Sequence, residues 1–194
     1  MQSIKLSIIL LLLLNSNLFS KYTPVNITQN ELLKNEKRYG IKAKKRLILW
    51  DQMLQRVKNK TILIQLKIVN AFFNKIRCMS DEQVWKKKDY WATPMEFLAV
   101  GAGDCEDFAI AKYFSLLKLG ISKKKLKITY TMLQKKESKK AHIVLNYIHK
   151  STSIPIVLDN YDKKIRLITK RDDLKTIYSF SAASIIEKMR IPIV

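Results

Sequence analysis

The stretch Gly101-Ala102-Gly103-Asp104-Cys105-Glu106-Asp107 sets a cysteine where a glycine-marked turn gives way to an apolar-periodic run. Gly101 and Gly103 supply the turn, and Asp104 carries a side chain suited to a helix N-cap. A thiol in the first turn of a helix faces unpaired backbone N–H groups and the positive end of the helix dipole, which favour thiolate over thiol. Cys105 is therefore the candidate nucleophile. A small, half-buried structural cysteine fits the same position equally well, so the chemistry depends on partners elsewhere.

A thiolate nucleophile needs a base and a third group that orients the base. His142, one of two histidines, stands near the start of a strand-like run, and Asp159 follows the end of the next one. Antiparallel pairing of those runs brings the two side by side. His149 is the competing base, but its place beside Lys150 and Ser151 marks a solvated turn. The order Cys, His, Asp is weak on its own, because many chains contain it by chance.

The elements that must position these residues divide into helices and then strands. Thr28 and Glu31 have capping-box spacing and predict a short helix reaching Tyr39. Leu47, Trp50, Met53, Leu54 and Val57 predict a helix over 41–58, and Ile62, Leu66, Val69, Phe73 and Ile76 predict another. Periodicity fails between Cys78 and Gly103, and Trp85 to Met95 reads as a loop rich in aromatic residues. Leu119-Gly120 is a helix stop. Leu126, Ile128, Tyr130 and Met132 alternate as a strand should, Ala141 to Ile148 and Ile154 to Leu158 follow as further strands, and Ile165 to Ile168 as a short fourth. Helices followed by a strand meander predict an α+β fold, with N-terminal helices packed on a mostly antiparallel sheet.

The chain has 194 residues, 47% of them hydrophobic, which suits one domain over 21–194. Residues 1–20 have the layout of a signal peptide: one lysine, an apolar run from Leu6 to Leu14 broken only by Ser7, then small polar residues with cleavage near Ser16 or Ser20. The run is shorter than the ~20 residues that span a bilayer, so the exported chain is not expected to be membrane-spanning. Two cysteines give no disulfide framework, and Cys78 is expected as a buried thiol near the end of an apolar helix. The net charge of +21 invites a nucleic-acid reading. Lysine is scattered, however, its runs at 86–88, 123–125 and 135–136 fall in turns, and neither an RNA-binding aromatic signature nor zinc-finger spacing accompanies it. Nucleic acid is not an expected partner; the charge is solvated surface, with an acidic partner or an anionic membrane face as the second reading.

Together, Trp91-Ala92-Thr93-Pro94, Glu96, the Gly101–Asp107 stretch, Ala111-Lys112-Tyr113, Ala141-His142-Ile143-Val144-Leu145 and Leu158-Asp159-Asn160 resemble the bacterial transglutaminase-like cysteine proteinases of the LapG type. The resemblance runs from about Val84 to Phe180 and agrees with the export signal. It implies a papain-like or transglutaminase-like core and a Cys105–His142–Asp159 triad; such a mechanism would use the Cys105 backbone N–H at the helix start as an oxyanion donor, with the Trp91 indole N–H as the candidate to test for a second. It further implies a periplasmic endopeptidase that clips a large surface adhesin near its N-terminus, releases it and favours biofilm dispersal. Calcium is the implied cofactor, with Asp104 and Glu106 as candidate ligands and Asp107 as a weaker one; carboxylates are what a hard cation prefers. An inner-membrane receptor whose periplasmic domain responds to cyclic di-GMP is the implied restraining partner.

Two rival functions keep some of these features. A transglutaminase uses the same triad but passes the acyl group to an amine, and a non-catalytic basic periplasmic binding module leaves Cys105 structural. Negative charge at Asp104, Glu106 and Asp107 by itself opposes a thiolate at Cys105.

Overall fold

The computed structural model describes residues 27–180 together with Ile185, Lys188 and Met189. The expected signal peptide lies outside the described residues, as does most of the tail from Ala182. Three helices open the chain: α1 (Gln29–Tyr39), α2 (Ile41–Val57) and α3 (Ile62–Phe73). Thr28 caps α1 by accepting the Glu31 N–H at 3.2 Å. In α2, Leu47, Trp50, Leu54 and Val57 form a buried stripe, as their spacing requires.

Strand β1 (Arg77–Cys78) follows, then α4 (Asp81–Trp85), α5 (Pro94–Val100), strand β2 (Ala102–Gly103) and the central helix α6 (Cys105–Lys118). The expected loop is thus bounded by two short helices. Five and seven residues leave no room for a periodic pattern, and their ends are set by capping boxes instead, Ser80 with Gln83 and Thr93 with Glu96, the latter followed by Pro94. Helix α6 is buried along nearly its whole length and ends at Leu119, with Gly120 at φ 88° terminating it.

The sheet contains β3 (Leu126–Gln134), β4 (Lys139–Tyr147), β5 (Ile156–Leu158), β6 (Arg166–Leu167) and β7 (Leu174–Phe180), ordered β6-β5-β4-β3-β7 with every pairing antiparallel. The α+β reading holds. Strand β7 is an addition to it, and a register shift beside Tyr130 leaves Ile177 as the extra residue, which breaks the alternation that would have revealed the strand. The helices and one face of the sheet share a core in which Trp50, Phe73, Phe97 and Phe108 meet edge-on or stacked.

Cys78 corrects an expectation. Helix α3 stops at Phe73, and Cys78 is an exposed thiol on β1, where parallel pairing places it opposite Gly103. That small ladder carries the chain from α3 to the turn before Cys105. The turn has no spare volume, since a Cβ on Gly103 would run into the Asp107 carboxylate and the Phe97 ring. Gly103→Ala is expected to destabilise the fold by about 1–3 kcal/mol, the usual range for overpacking. Urea unfolding checks this, and an unchanged midpoint would show that the turn can yield.

Candidate active site

Cys105 opens α6, and its neighbours determine its chemistry. Its Sγ accepts the Ile143 backbone N–H and lies 3.3 Å from Glu106 Oε2, to which it donates. Burial pushes the thiol well above its ordinary range, and the Glu106 and Asp104 carboxylates add to that. The helix-start argument for a thiolate is therefore outweighed in the protein alone. Asp104 does occupy the N-cap position, but its side chain makes no capping hydrogen bond.

The candidate base and its candidate orienter lie side by side, as the strand order suggests. Leu145 pairs with Leu158, so Asp159, one residue beyond β5, falls diagonally across from His142 on β4. His142 Nε2 lies 2.7 Å from Asp159 Oδ1, with both side chains buried. Asp159 Oδ1 also accepts the Tyr161 N–H at 2.9 Å, and Oδ2 accepts Arg171 Nη2 at 2.8 Å. Burial alone would raise this carboxyl, but His142, the Tyr161 amide and Arg171 together hold it well below the usual carboxylate range. From α6, the fully buried Lys112 acts on the same carboxylate; burial pushes its amine down to about 7 while Asp159 pulls the other way. His149 is instead hydrogen-bonded to Tyr147 Oη at 3.1 Å, away from this group.

Cys105, His142, Trp91, Tyr130, Tyr178 and Lys140 line one cleft of about 670 Å³. The bulge at Ile177 lets Tyr178 stack on Tyr130 at 5.2 Å, and Phe180 meets Trp91 edge-on at 5.0 Å, which builds an aromatic wall. The Trp91 indole N–H, the candidate second oxyanion donor, donates to Asp89 Oδ1 at 3.1 Å. Cys78 borders the cleft as well, and both cysteines are free.

The expected acidic residues converge, joined by two that sequence reasoning missed. One carboxylate oxygen each from Asp81, Asp104 and Asp107 lies within 4.8 Å of the others, and Asp81, Asp89 and Glu106 form a second such group. Asp81 Oδ1, Asp104 Oδ1 and Asp107 Oδ2 are buried without a hydrogen-bond partner. Burial, with the charge of neighbouring acids, lifts Asp81 to about 6, Asp107 to about 8 and Asp104 in the same direction. Orphaned carboxylate oxygens at this spacing fit a hard divalent cation. Asp81 and Asp89 were discernible only as acids scarce in a basic chain and close to the aromatic loop.

A family profile for the bacterial transglutaminase-like cysteine proteinase BTLCP matches residues 47–182. The chain belongs to this proteinase family. Among solved structures it is similar to Legionella pneumophila LapG at 38% identity and a TM-score of 0.70, with 80% of this chain and 85% of that one covered. A calcium-bound form of that protein matches with the same values. Its EGTA-treated form matches at 38% identity and a TM-score of 0.69, covering 80% of this chain and 83% of that one. No curated protein sequence gives a match. The family and this likeness support cysteine protease activity, and the likeness agrees with the helix-and-sheet architecture.

Exposure and charge separate the two thiols of this proteinase. In metal-free protein at neutral pH, iodoacetamide is expected to label Cys78 at least roughly tenfold faster than Cys105, because attack requires an accessible thiolate. Peptide mass spectrometry gives the order, and faster labelling of Cys105 would contradict the charge argument.

Proposed function

We propose that this chain is a calcium-dependent cysteine endopeptidase of the periplasm, which cuts a large surface adhesin in its N-terminal region and thereby releases it and favours biofilm dispersal. The observation that carries this reading is a thiol at a helix start sharing a cleft with a histidine that a buried aspartate holds, in a chain 38% identical to LapG. The cleft holds about 670 Å³ and is bordered by the aromatic wall, which gives room for a peptide segment.

Cys105 Sγ attacks the scissile carbonyl carbon after giving its proton to His142. The His142 Nε2 side is committed to Asp159, which fixes the ring and leaves Nδ1 for the thiol. The imidazolium returns that proton to the leaving amine, and the acyl-thioester is then hydrolysed by a water that His142 deprotonates. The Cys105 backbone N–H, at the start of α6, is the first oxyanion donor. A second donor is available at Trp91 once its indole releases Asp89.

Asp81, Asp104, Glu106 and Asp107 are the residues that would hold calcium, with Asp89 beside them. A bound calcium supplies positive charge that offsets the carboxylates' repulsion of the Cys105 thiolate. Restraint by the periplasmic domain of an inner-membrane receptor, itself responsive to cyclic di-GMP, completes the proposal. Among the described residues no helix is long and apolar enough to cross a membrane.

Cys105→Ala should abolish cleavage of an adhesin N-terminal fragment while the far-ultraviolet circular dichroism stays unchanged; persistent cleavage, or amine incorporation in place of fragments, would sink the protease reading. EGTA should stop wild-type cleavage and added calcium restore it, and Asp81→Asn or Asp104→Asn should raise the calcium needed for half-maximal cleavage by about tenfold or more, each removing a charged ligand. Cleavage indifferent to EGTA would remove calcium from the scheme.

A further inference from the structure

Arg171 lies beyond every motif that pointed to the site, in the corner between the 3-10 turn Ile168–Lys170 and strand β7. Its side chain is buried, and it reaches the group that orients the proposed base. Nη2 donates to Asp159 Oδ2 at 2.8 Å, while Nε and Nη2 fork onto Asp173 Oδ1 and Oδ2 at 2.7 and 2.8 Å. Asp173 is in turn fixed by its backbone, whose carbonyl accepts the Gln134 N–H at 2.7 Å.

We infer that Arg171 is a positioning residue for the proposed proteolysis: it locks the plane of the Asp159 carboxylate and moderates the negative charge that His142 experiences. This inference rests on the triad reading of the preceding subsection. A carboxylate that accepts on one oxygen only is free to rotate about its Cβ–Cγ bond. Asp159 accepts on both, from His142 and Tyr161 at Oδ1 and from Arg171 at Oδ2, and Asn74 Nδ2 holds its backbone carbonyl at 2.7 Å. The fork onto Asp173 prevents the guanidinium from following a rotation of the Asp159 side chain. Such a planar clamp is a property of arginine that lysine lacks.

Charge follows the same geometry. An isolated buried Asp159 would stabilise the imidazolium form of His142 strongly and slow its return of a proton to the leaving group. The Arg171 guanidinium, fixed on the far oxygen, offsets part of that charge. His142 shares its surroundings with Asp159 just beyond β5, Tyr161 in the next turn, Cys105 and Glu106 from α6, Lys135 from the β3–β4 turn and Lys140 on β4 itself. Lys112 reaches it through Asp159. None of these donates a side-chain hydrogen bond to Asp159 Oδ2 among the described residues, so that role falls to Arg171.

The test uses the full chain. In a Cys105→Ala background, NMR titration of the His142 imidazole needs no substrate, so it reads Arg171 even if the proteolytic reading fails. Arg171→Met is expected to raise the His142 pKa by about one unit, as loss of a fixed cation a few ångströms away should. With Cys105 intact, the same substitution is expected to lower kcat for the adhesin fragment by at least roughly tenfold while KM changes less than about threefold. If Arg171→Met does not fold, Arg171→Lys serves: it keeps the charge and loses the fork, so His142 titrates as in the parent while kcat still falls. An unmoved His142 pKa in folded Arg171→Met, or wild-type kcat in either variant, overturns the inference.

Discussion

Crowding of negative charge around one thiol is the constraint on which the rest of this structure depends. Asp104, Glu106 and Asp107 come from the turn and first helical turn that carry Cys105, and Asp81 and Asp89 approach from the preceding segment. The chain as a whole carries +21, yet its acids are concentrated where a nucleophile would have to ionise. Packing leaves them no escape. Gly103 is pressed between Asp107 and Phe97, and the Ala92 N–H anchors Asp107 at 2.8 Å. Burial beside other acids moves Asp81, Asp104 and Asp107 towards their neutral forms, as Asp107 at about 8 illustrates. The thiol and the proposed metal site are thus two aspects of a single turn.

Across the cysteine from that group, held by His142, lies a carboxylate with the opposite fate. Asp159 is as deeply buried as Asp107, but it is surrounded by donors and cations where Asp107 is surrounded by acids. Burial penalises both, and the neighbours decide the sign of the net effect. The cleft therefore has one wall that resists negative charge and another that preserves it. His142, on the strand between them, is joined through Asp159 to the wall that preserves it.

Much of this could be read in the sequence because the relevant signals are local or periodic. The long helices declared themselves by spacing and the strand meander by alternation, while Cys105, His142 and Asp159 stood out as candidates through their motifs, and the fold sets His142 against Asp159. What escaped detection was non-local or too short to repeat. Helices α4 and α5 are defined by capping residues, β7 by a pairing with a bulge in it, and Cys78 by a two-residue ladder to Gly103. Arg171 and Asp81 have no local signature at all. Each becomes meaningful only when folding sets it against a carboxylate of another element, Arg171 against Asp159 and Asp81 near Asp104 and Asp107, and nothing in the spacing of charged residues encodes that meeting.

The order in which the cleft's parts occur along the chain has a consequence for the cell that makes it. Cys105 precedes His142, His142 precedes Asp159, and the Arg171 clamp comes after all three, closed by the final strand of the sheet. A polypeptide emerging N-terminus first therefore carries the Cys105 thiol without His142, Asp159 or Arg171 beside it until the sheet closes. The groups proposed to activate that thiol are assembled last. Such an arrangement ties completion of the proposed catalytic group to closure of the sheet, so that neither can be had without the other.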